Sequence, residues 1–232
     1  YPGIPDTDGL ALTDKFKKHL ADYGVKPETG VEVEKIIKQD DGDFCITAKS
    51  GQETPNWSEK MPDGMVGSLK CDYLAKAVII ATGVHPRELN VLGEKELRNK
   101  GVSYCTICDG PLFPGKPVAV IGGGNSALEA GIMMADIASK VYMINKNKAF
   151  KGDQILIDNL SSKKNVEIIY KVMTTEILGD GFVSGLKYKD QSGESSSAKA
   201  TEGKEKELKL DGVFVHIGML PNSGIGPEGI EK

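Results

Sequence analysis

Val118-Ala119-Val120-Ile121-Gly122-Gly123-Gly124-Asn125-Ser126-Ala127 is the stretch that decides how this chain is read. Its four leading apolar residues suit a strand buried on both faces, and the glycines run straight into Ser126-Ala127-Leu128-Glu129-Ala130, which opens a helix. In such a strand–turn–helix, Gly122 allows the tight turn, Gly124 lets the backbone approach a pyrophosphate, and Ala127 lets the helix pack closely on the strand. Gly123, Asn125 and Ser126 complete the turn, where a helix N-terminus offers free N–H groups to an anion. A lone GxGxxA is weak evidence, and a purely structural turn is the alternative. Here a further strand, Lys140-Val141-Tyr142-Met143-Ile144, arrives about 20 residues later, as a βαβ unit demands. The turn is therefore read as a dinucleotide site.

The side chain at the end of that second strand chooses between the two nicotinamide cofactors, an acid there favouring NAD. This chain has Asn145, followed by Lys146, Lys148 and Lys151, so a 2′-phosphate would meet cations and no carboxylate. NADPH is favoured over NADH. Lysine is a point charge without the bidentate fork of arginine, so the contact should be weaker than arginines would give. A solvated surface turn is the other reading of these lysines.

Upstream, Cys105-Thr106-Ile107-Cys108-Asp109 ends 13 residues before Gly122. Two cysteines at i and i+3 face the same way if they begin a helix, which brings the sulfurs within disulfide reach and lets the helix dipole lower a thiolate pKa. Asp109 stands where it can pass a proton to whichever thiolate leaves, although an acid here can also simply start a helix. Pro111 makes the helical turn short and the site accessible. A dithiol just ahead of a nucleotide fold joins electron donor to acceptor and points to a dithiol oxidoreductase.

Composition narrows the field. With 232 residues the chain can form one large or two smaller domains and bury a core without disulfide staples. Apolar residues make up 39% and charged residues 27%, and the net charge of −4 argues against a nucleic-acid partner, which would need a basic surface. No apolar run approaches the roughly 18 residues of a membrane span. The start, Tyr1-Pro2-Gly3-Ile4-Pro5-Asp6, lacks a signal peptide's charged and apolar regions and an initiator Met, so the chain reads as cytoplasmic and as a fragment or processed product. Cys45 and Cys71 read as packed, inert thiols. Structural zinc needs ligands in close pairs, and with one such pair and scattered His19, His85 and His216, no metal is expected.

Elsewhere, Asp8 to Tyr23 has helical spacing ended by Gly24, and Val31 to Ile37 with Phe44 to Ala48 reads as a strand pair around an Asp-Gly turn. Ser50 to Ser68, containing Trp57, reads as a loop, with the indole as a cap over the sheet. Lys76-Ala77-Val78-Ile79-Ile80-Ala81-Thr82-Gly83 reads as a doubly buried strand with a glycine exit, and Glu94 to Lys100 as a solvated helix. Val166 to Tyr170, Thr174 to Leu178 and Val183 to Lys189 suggest a second antiparallel meander, Gln191 to Lys206 a mobile loop, and Leu208 to Ile217 a closing strand. The pattern of meander and glycine exit thus occurs at 31–83 and again at 166–218, as two related nucleotide-binding modules would show.

Together these residues resemble the low-molecular-weight thioredoxin reductases. The likeness rests on Pro2-Gly3-x-Pro5, Ala81-Thr82-Gly83, Cys105-x-x-Cys108-Asp109-Gly110, Val120 to Ala127, and Asp211-Gly212-Val213-Phe214-Val215 through Ile217-Gly218 to Pro221-Asn222, in family order across essentially the whole chain. The resemblance implies that Cys108 sits against the flavin, that Cys105 attacks the protein disulfide, and that Asp109 serves as acid and base. It also places Ala81, Thr82 and Gly83 near FAD and implies a rotation of the nucleotide domain relative to the flavin domain.

The family's N-terminal GxGxxG for the FAD pyrophosphate and its C-terminal Gly-Asp flavin motif are absent from these residues, so FAD is expected of the intact parent. Asn145-Lys146-Asn147 also departs from the family's basic pair following histidine, which keeps an NADH- or ferredoxin-using relative open.

The expected architecture is α/β: a Rossmann-like, three-layer FAD/NAD(P)-binding fold with antiparallel β-meanders in two modules. Residues 1–88 would form part of an FAD-binding domain, 89–217 an NAD(P)-binding domain carrying the CxxC, and 218–232 the start of the return to the FAD-binding domain. The expected activity passes electrons from NADPH, by way of FAD, to Cys105/Cys108 and on to thioredoxin or a similar small redox protein. A peroxiredoxin-type partner, a small disulfide, or a flavin-free nucleotide-binding fragment without turnover are the alternatives. The oligomeric state stays open, a homodimer included.

Overall fold

The glycine turn lies at the centre of a five-stranded parallel sheet in the second of two units, which span 1–83 with 222–232, and 84–221. The computed structural model describes residues 2–50, 71–191, 205–227 and 229. The loop readings at 50–68, with Trp57, and at 191–206 fall almost wholly outside these residues.

In the second unit, β5 (Val102–Ser103), β6 (Pro117–Ile121), β7 (Lys140–Asn145), β8 (Val166–Tyr170) and β12 (Gly212–Val215) form the sheet, in the order β5-β12-β6-β7-β8. Every neighbouring pair is parallel. Parallel strands need crossovers, and α3 (Asn125–Ala135) and α4 (Gln154–Ser162) supply them between β6, β7 and β8.

Because strand side chains alternate, the sheet has two apolar faces. Val118, Val120, Val141, Met143 and Phe214 face one core with Leu128, Met134 and Leu160 from the helices. Ala119, Ile121, Ile144, Val213 and Val215 face the other. That second face is covered by an antiparallel meander of β9 (Val172–Asp180), β10 (Phe182–Asp190) and β11 (Lys206–Lys209), which contributes Ile177, Val183 and Leu186. Helices, parallel sheet and meander make the three layers expected. Each fully buried aliphatic side chain stabilises this packing by about 1.5–3 kcal/mol.

Two strands are assigned differently from the sequence reading. Val166–Tyr170 joins the parallel sheet beside β7, and the meander starts two residues later at Val172. Leu208 to Ile217 is two strands: Lys209 pairs with Gly185 in the meander, whereas Gly212 pairs with Val118 in the parallel sheet. Between them Leu210 and Asp211 carry the chain from one layer to the next, Leu210 buried and the Asp211 N–H donating to the Pro117 carbonyl at 2.9 Å.

Glu94 to Lys100 is likewise a set of turns and no helix. Glu94 is fully buried and accepts from the Leu89 and Asn90 N–H groups at 2.8 and 2.7 Å and from the Tyr104 hydroxyl at 2.8 Å. A carboxylate that closes a loop in this way is a fold element, and Leu97 beside it belongs to the core. A short antiparallel ribbon of β4 (Val84–Pro86) and β13 (Met219–Pro221) completes this unit.

The first unit holds α1 (Gly9–Asp22), capped by the Asp8 carboxylate on the Ala11 N–H at 2.8 Å and ended at Gly24, where φ is +70°. It also holds the meander β1 (Val31–Lys38), β2 (Phe44–Ser50) and β3 (Tyr73–Ala75). Residues 76–83, expected as a buried strand, form none. A doubly buried strand needs a ladder partner on each side, and among the described residues none stands beside this segment, so Ile79 is 92% exposed. Cys45 and Cys71 are buried as expected but are bonded to each other, closing β2 onto the entry to β3. Both lie at packed positions with Cα atoms 5.4 Å apart, within disulfide reach, which corrects the reading as inert thiols.

Candidate functional site

Cys105 follows β5 and caps α2 (Thr106–Asp109), a single helical turn that runs into a 3-10 turn at Gly110–Leu112. Its extended backbone aims the sulfur back at the helix, and Sγ accepts from the Cys108 N–H at 3.2 Å. Cys105 and Cys108 form a disulfide with Cα atoms 5.3 Å apart. Once reduced, a sulfur receiving an N–H hydrogen bond is favoured as thiolate, the nucleophilic form. Cys108 is exposed and Ile107 next to it is 79% exposed, so the dithiol opens outward.

Asp109 closes α2, its N–H donating to the Cys105 carbonyl at 3.1 Å. Its carboxylate accepts from Ser103 Oγ at 2.6 Å, and Ser103 in turn accepts from the Cys105 N–H at 3.0 Å. The sequence reading overlooked Ser103. Its only trace there is a serine two residues before the first cysteine of a CxxC. The reading also passed over His216, treated there as scattered: Nε2 meets Thr106 Oγ1 at 2.7 Å, so the end of β12 touches the first residue of the dithiol helix. Burial pulls the pKa of His216 below its ordinary value.

The glycines of the turn meet different surroundings. Gly122 has φ +149°, and a Cβ there would lie 2.2 Å from the His216 carbonyl oxygen and 2.8 Å from the Ala127 Cβ. A Cβ on Gly123 would meet the Asn145 amide at 2.8 Å. Gly124 differs, being the N-cap of α3, where an added Cβ would have nothing within 4 Å, so the space before the helix is open. Gly124, Asn125 and Ser126 are exposed, Gly123 is half-buried, and Ala127 is fully buried under the turn.

Polar side chains around the turn hold its loops together. Asn125 and Asp153 exchange two hydrogen bonds, Nδ2 to Oδ2 at 2.9 Å and the Asp153 N–H to Oδ1 at 2.8 Å, which clasps α3 to the start of α4. Asn145 is buried and folds the following turn, donating to the Ala149 carbonyl at 3.1 Å and accepting from the Asn147 N–H at 3.0 Å. Lys146, Lys148 and Lys151 are exposed on that turn, and the Lys151 N–H donates to the Gly123 carbonyl at 2.7 Å. This arrangement suits a nicotinamide dinucleotide: open space ahead of a helix N-terminus, flanked by cations.

In the first unit, Ala81, Thr82 and Gly83 are exposed, and Thr82 and Gly83 are joined to Asn222. Thr82 Oγ1 donates to the Asn222 carbonyl at 2.5 Å, Asn222 Nδ2 donates to the Thr82 carbonyl at 3.0 Å, and the Asn222 N–H donates to the Gly83 carbonyl at 2.9 Å. Two motifs separated by most of the chain thus form one edge. Of a flavin side, the described residues show this edge.

A parallel sheet with a glycine turn at its centre and a CxxC disulfide reaching the surface at Cys108 lie on one unit, the combination that defines a class of dithiol proteins built on a dinucleotide-type fold. The chain belongs to the pyridine nucleotide-disulphide oxidoreductase family, which it matches over residues 59–231. It is 36% identical over 228 residues to the F subunit of the alkyl hydroperoxide reductase of Staphylococcus aureus strain MRSA252, covering 98% of this chain and 39% of that protein. Among solved structures it resembles the thioredoxin reductase of T. acidophilum (35% identity, TM-score 0.65) and that of Lactococcus lactis (25% identity, TM-score 0.69), each over 97% of this chain and 64% of the other. The chain therefore spans well under half of the hydroperoxide reductase relative and just under two thirds of these thioredoxin reductases. No helix among the described residues is long and apolar enough to cross a membrane.

Proposed function

We propose that this chain carries the nicotinamide-nucleotide site and the redox dithiol of a disulfide reductase, with FAD belonging to the intact parent protein. The observation that carries the reading is the Cys105–Cys108 disulfide, exposed at Cys108, with an acid on its helix, in the same unit as an open glycine turn. Gly122, Gly123, Gly124, Asn125, Ser126 and Ala127 form the nucleotide turn, with Lys146 and Lys151 favouring NADPH through its 2′-phosphate. Ala81, Thr82 and Gly83 belong to the flavin side of the parent. In the dithiol form, the Cys105 thiolate attacks a partner's disulfide, one partner sulfur leaves, and Cys108 then displaces the other, reforming Cys105–Cys108. Two electrons pass to the partner, and Asp109 exchanges protons with the thiolates that come and go.

The partner proposed is thioredoxin or a similar small redox protein. A second reading, a protein of a peroxide-reducing system, is favoured by the 36–41% identity to F subunits of alkyl hydroperoxide reductases. Cys108→Ser decides both questions, because it leaves the mixed disulfide unresolved. Incubated with oxidised thioredoxin or with an oxidised peroxiredoxin, the variant should accumulate a covalent adduct through Cys105, and the partner that accumulates is the one served. An adduct through Cys45 or Cys71 with Cys105 untouched would overturn the site.

A further inference from the structure

Ser103 occupies an unusual position for a serine: 4% exposed, at the end of a sheet strand, and bonded to the Asp109 carboxylate and the Cys105 backbone N–H. In the parallel sheet it is level with Phe214, which is fully buried, so its backbone is fixed. Its oxygen lies 2.6 Å from Asp109 Oδ2 and 3.3 Å from the Cys105 carbonyl oxygen. A hydroxyl has one hydrogen, and the nearer, charged acceptor takes it. The lone pairs are left to accept from the Cys105 N–H at 3.0 Å. Asp109 itself stands at the end of a helix only four residues long, with no α-helical turn beyond it to restrain the side chain.

We infer that Ser103 is a positioning residue for proton transfer at the dithiol: by holding Asp109 Oδ2 it turns the carboxyl so that Oδ1 is the oxygen that trades protons with the sulfurs. The inference rests on the proposed acid–base role of Asp109. Thiol–disulfide exchange expels a thiolate at each step, and a leaving thiolate departs faster when a placed acid protonates it. The buried Ser103 hydroxyl lets the sheet, to which its strand is paired, set the direction of that acid. The competing role is local: a serine accepting from the N–H two residues on also stabilises a turn.

Reduction of the Cys105–Cys108 disulfide by dithiothreitol tests this in the 232-residue chain. A dithiothreitol thiol gives its proton to Asp109 as its sulfur attacks, the S–S bond breaks, and the leaving protein thiolate takes that proton from Asp109. The second dithiothreitol thiol then displaces the remaining protein sulfur, its proton passing by way of Asp109 to the thiolate that leaves, and dithiothreitol departs as the cyclic disulfide, two electrons poorer. Acid quenching, alkylation and peptide mass mapping follow this pair separately from Cys45–Cys71.

Ser103→Ala should slow the reaction about tenfold, and Ser103→Thr, which keeps the hydroxyl, should restore it. Asp109→Asn should be slow, and adding Ser103→Ala to it should cost nothing more, because two residues acting through one group are not additive. A wild-type rate in Ser103→Ala, or the same tenfold loss repeated in the Asp109→Asn background, would overturn the inference while leaving Asp109 in its role. A wild-type rate in Asp109→Asn would remove the acid–base reading itself and the role of Ser103 with it. Circular dichroism and melting of Ser103→Ala separate a slow dithiol from a damaged fold, with Ser103→Thr reading the hydroxyl's effect in either case.

Discussion

Thr106 and His216, 110 residues apart, meet at 2.7 Å between Oγ1 and Nε2, so the first residue of the dithiol helix is tied to the strand end against which Gly122 turns. Thr106 is 4% exposed, and burial lowers the pKa of the imidazole it meets. The folded chain therefore favours the neutral ring. An unfolded histidine binds its proton near pH 6.5, on the order of its model-peptide value. As pH falls below about 6.5, the unfolded state takes up a proton that the folded state still resists, and stability declines until the folded ring is protonated too. Thermal melts from about pH 7.5 to about pH 5.5, which bracket that value, should show this decline. His216→Gln, which keeps a polar group for Thr106 but does not titrate, should show less of it. Equal declines would mean that the ring titrates as it does in the unfolded chain.

The two outer glycines of the turn should fail in different ways. Gly122→Ala places a methyl 2.2 Å from the His216 carbonyl oxygen at a φ of +149°, so it should destabilise the second unit by about 3 kcal/mol or more. Gly124→Val enters open space and should melt near the wild type, yet lose nicotinamide-nucleotide affinity because the branched side chain fills the pyrophosphate's path. Calorimetric melting and titration together check both. Unchanged nucleotide affinity in Gly124→Val would make the turn structural only.

Lys146 and Lys151 are exposed, so any attraction to a 2′-phosphate should weaken as salt rises. NADPH should bind more tightly than NADH at low salt, with the gap closing at high salt. Replacing both lysines by Glu should reverse the preference and spare the contacts common to both nucleotides. Equal affinities at low salt, unchanged in the double variant, would identify these lysines as a solvated turn and leave NADH or a ferredoxin as donor.

The Cys45–Cys71 bond closes a loop across a sequence separation of 26 residues. On the loop-entropy view such a link is worth about 3 kcal/mol, so Cys45→Ala should lower the melting transition of the first unit and leave that of the second in place. Because both sulfurs are buried, alkylation of the native protein should miss them until it is reduced and unfolded. Rapid labelling of Cys71 in the native, unreduced protein would show that the bond is absent.

What could be read from the sequence was local in origin. The β6 turn into α3 follows from glycines that no larger residue can replace at Gly122, and from an apolar run of strand length feeding a helix start. The Cys105 and Cys108 sulfurs meet because residues i and i+3 of one helical turn face the same side. The cap of α1 at Asp8 and its stop at Gly24 depend on neighbours within a few positions.

What only the tertiary structure decided depends on how segments close on one another, some far along the chain and some only a few residues apart. Val78-Ile79-Ile80 and Val213-Phe214-Val215 read alike, yet the second is buried between β5 and β6 while the first has no strand beside it among the described residues. Glu94 looks like a surface acid until the Leu89 and Asn90 N–H groups and the Tyr104 hydroxyl close around it. Cys45 and Cys71 become a disulfide only when β2 pairs with β3, and Ser103 finds Asp109 only when β5 and α2 are in place. Backbone dihedrals and helical spacing are properties of a short segment and are written in it, whereas burial, pairing and the direction of a carboxylate are set by whatever arrives from elsewhere.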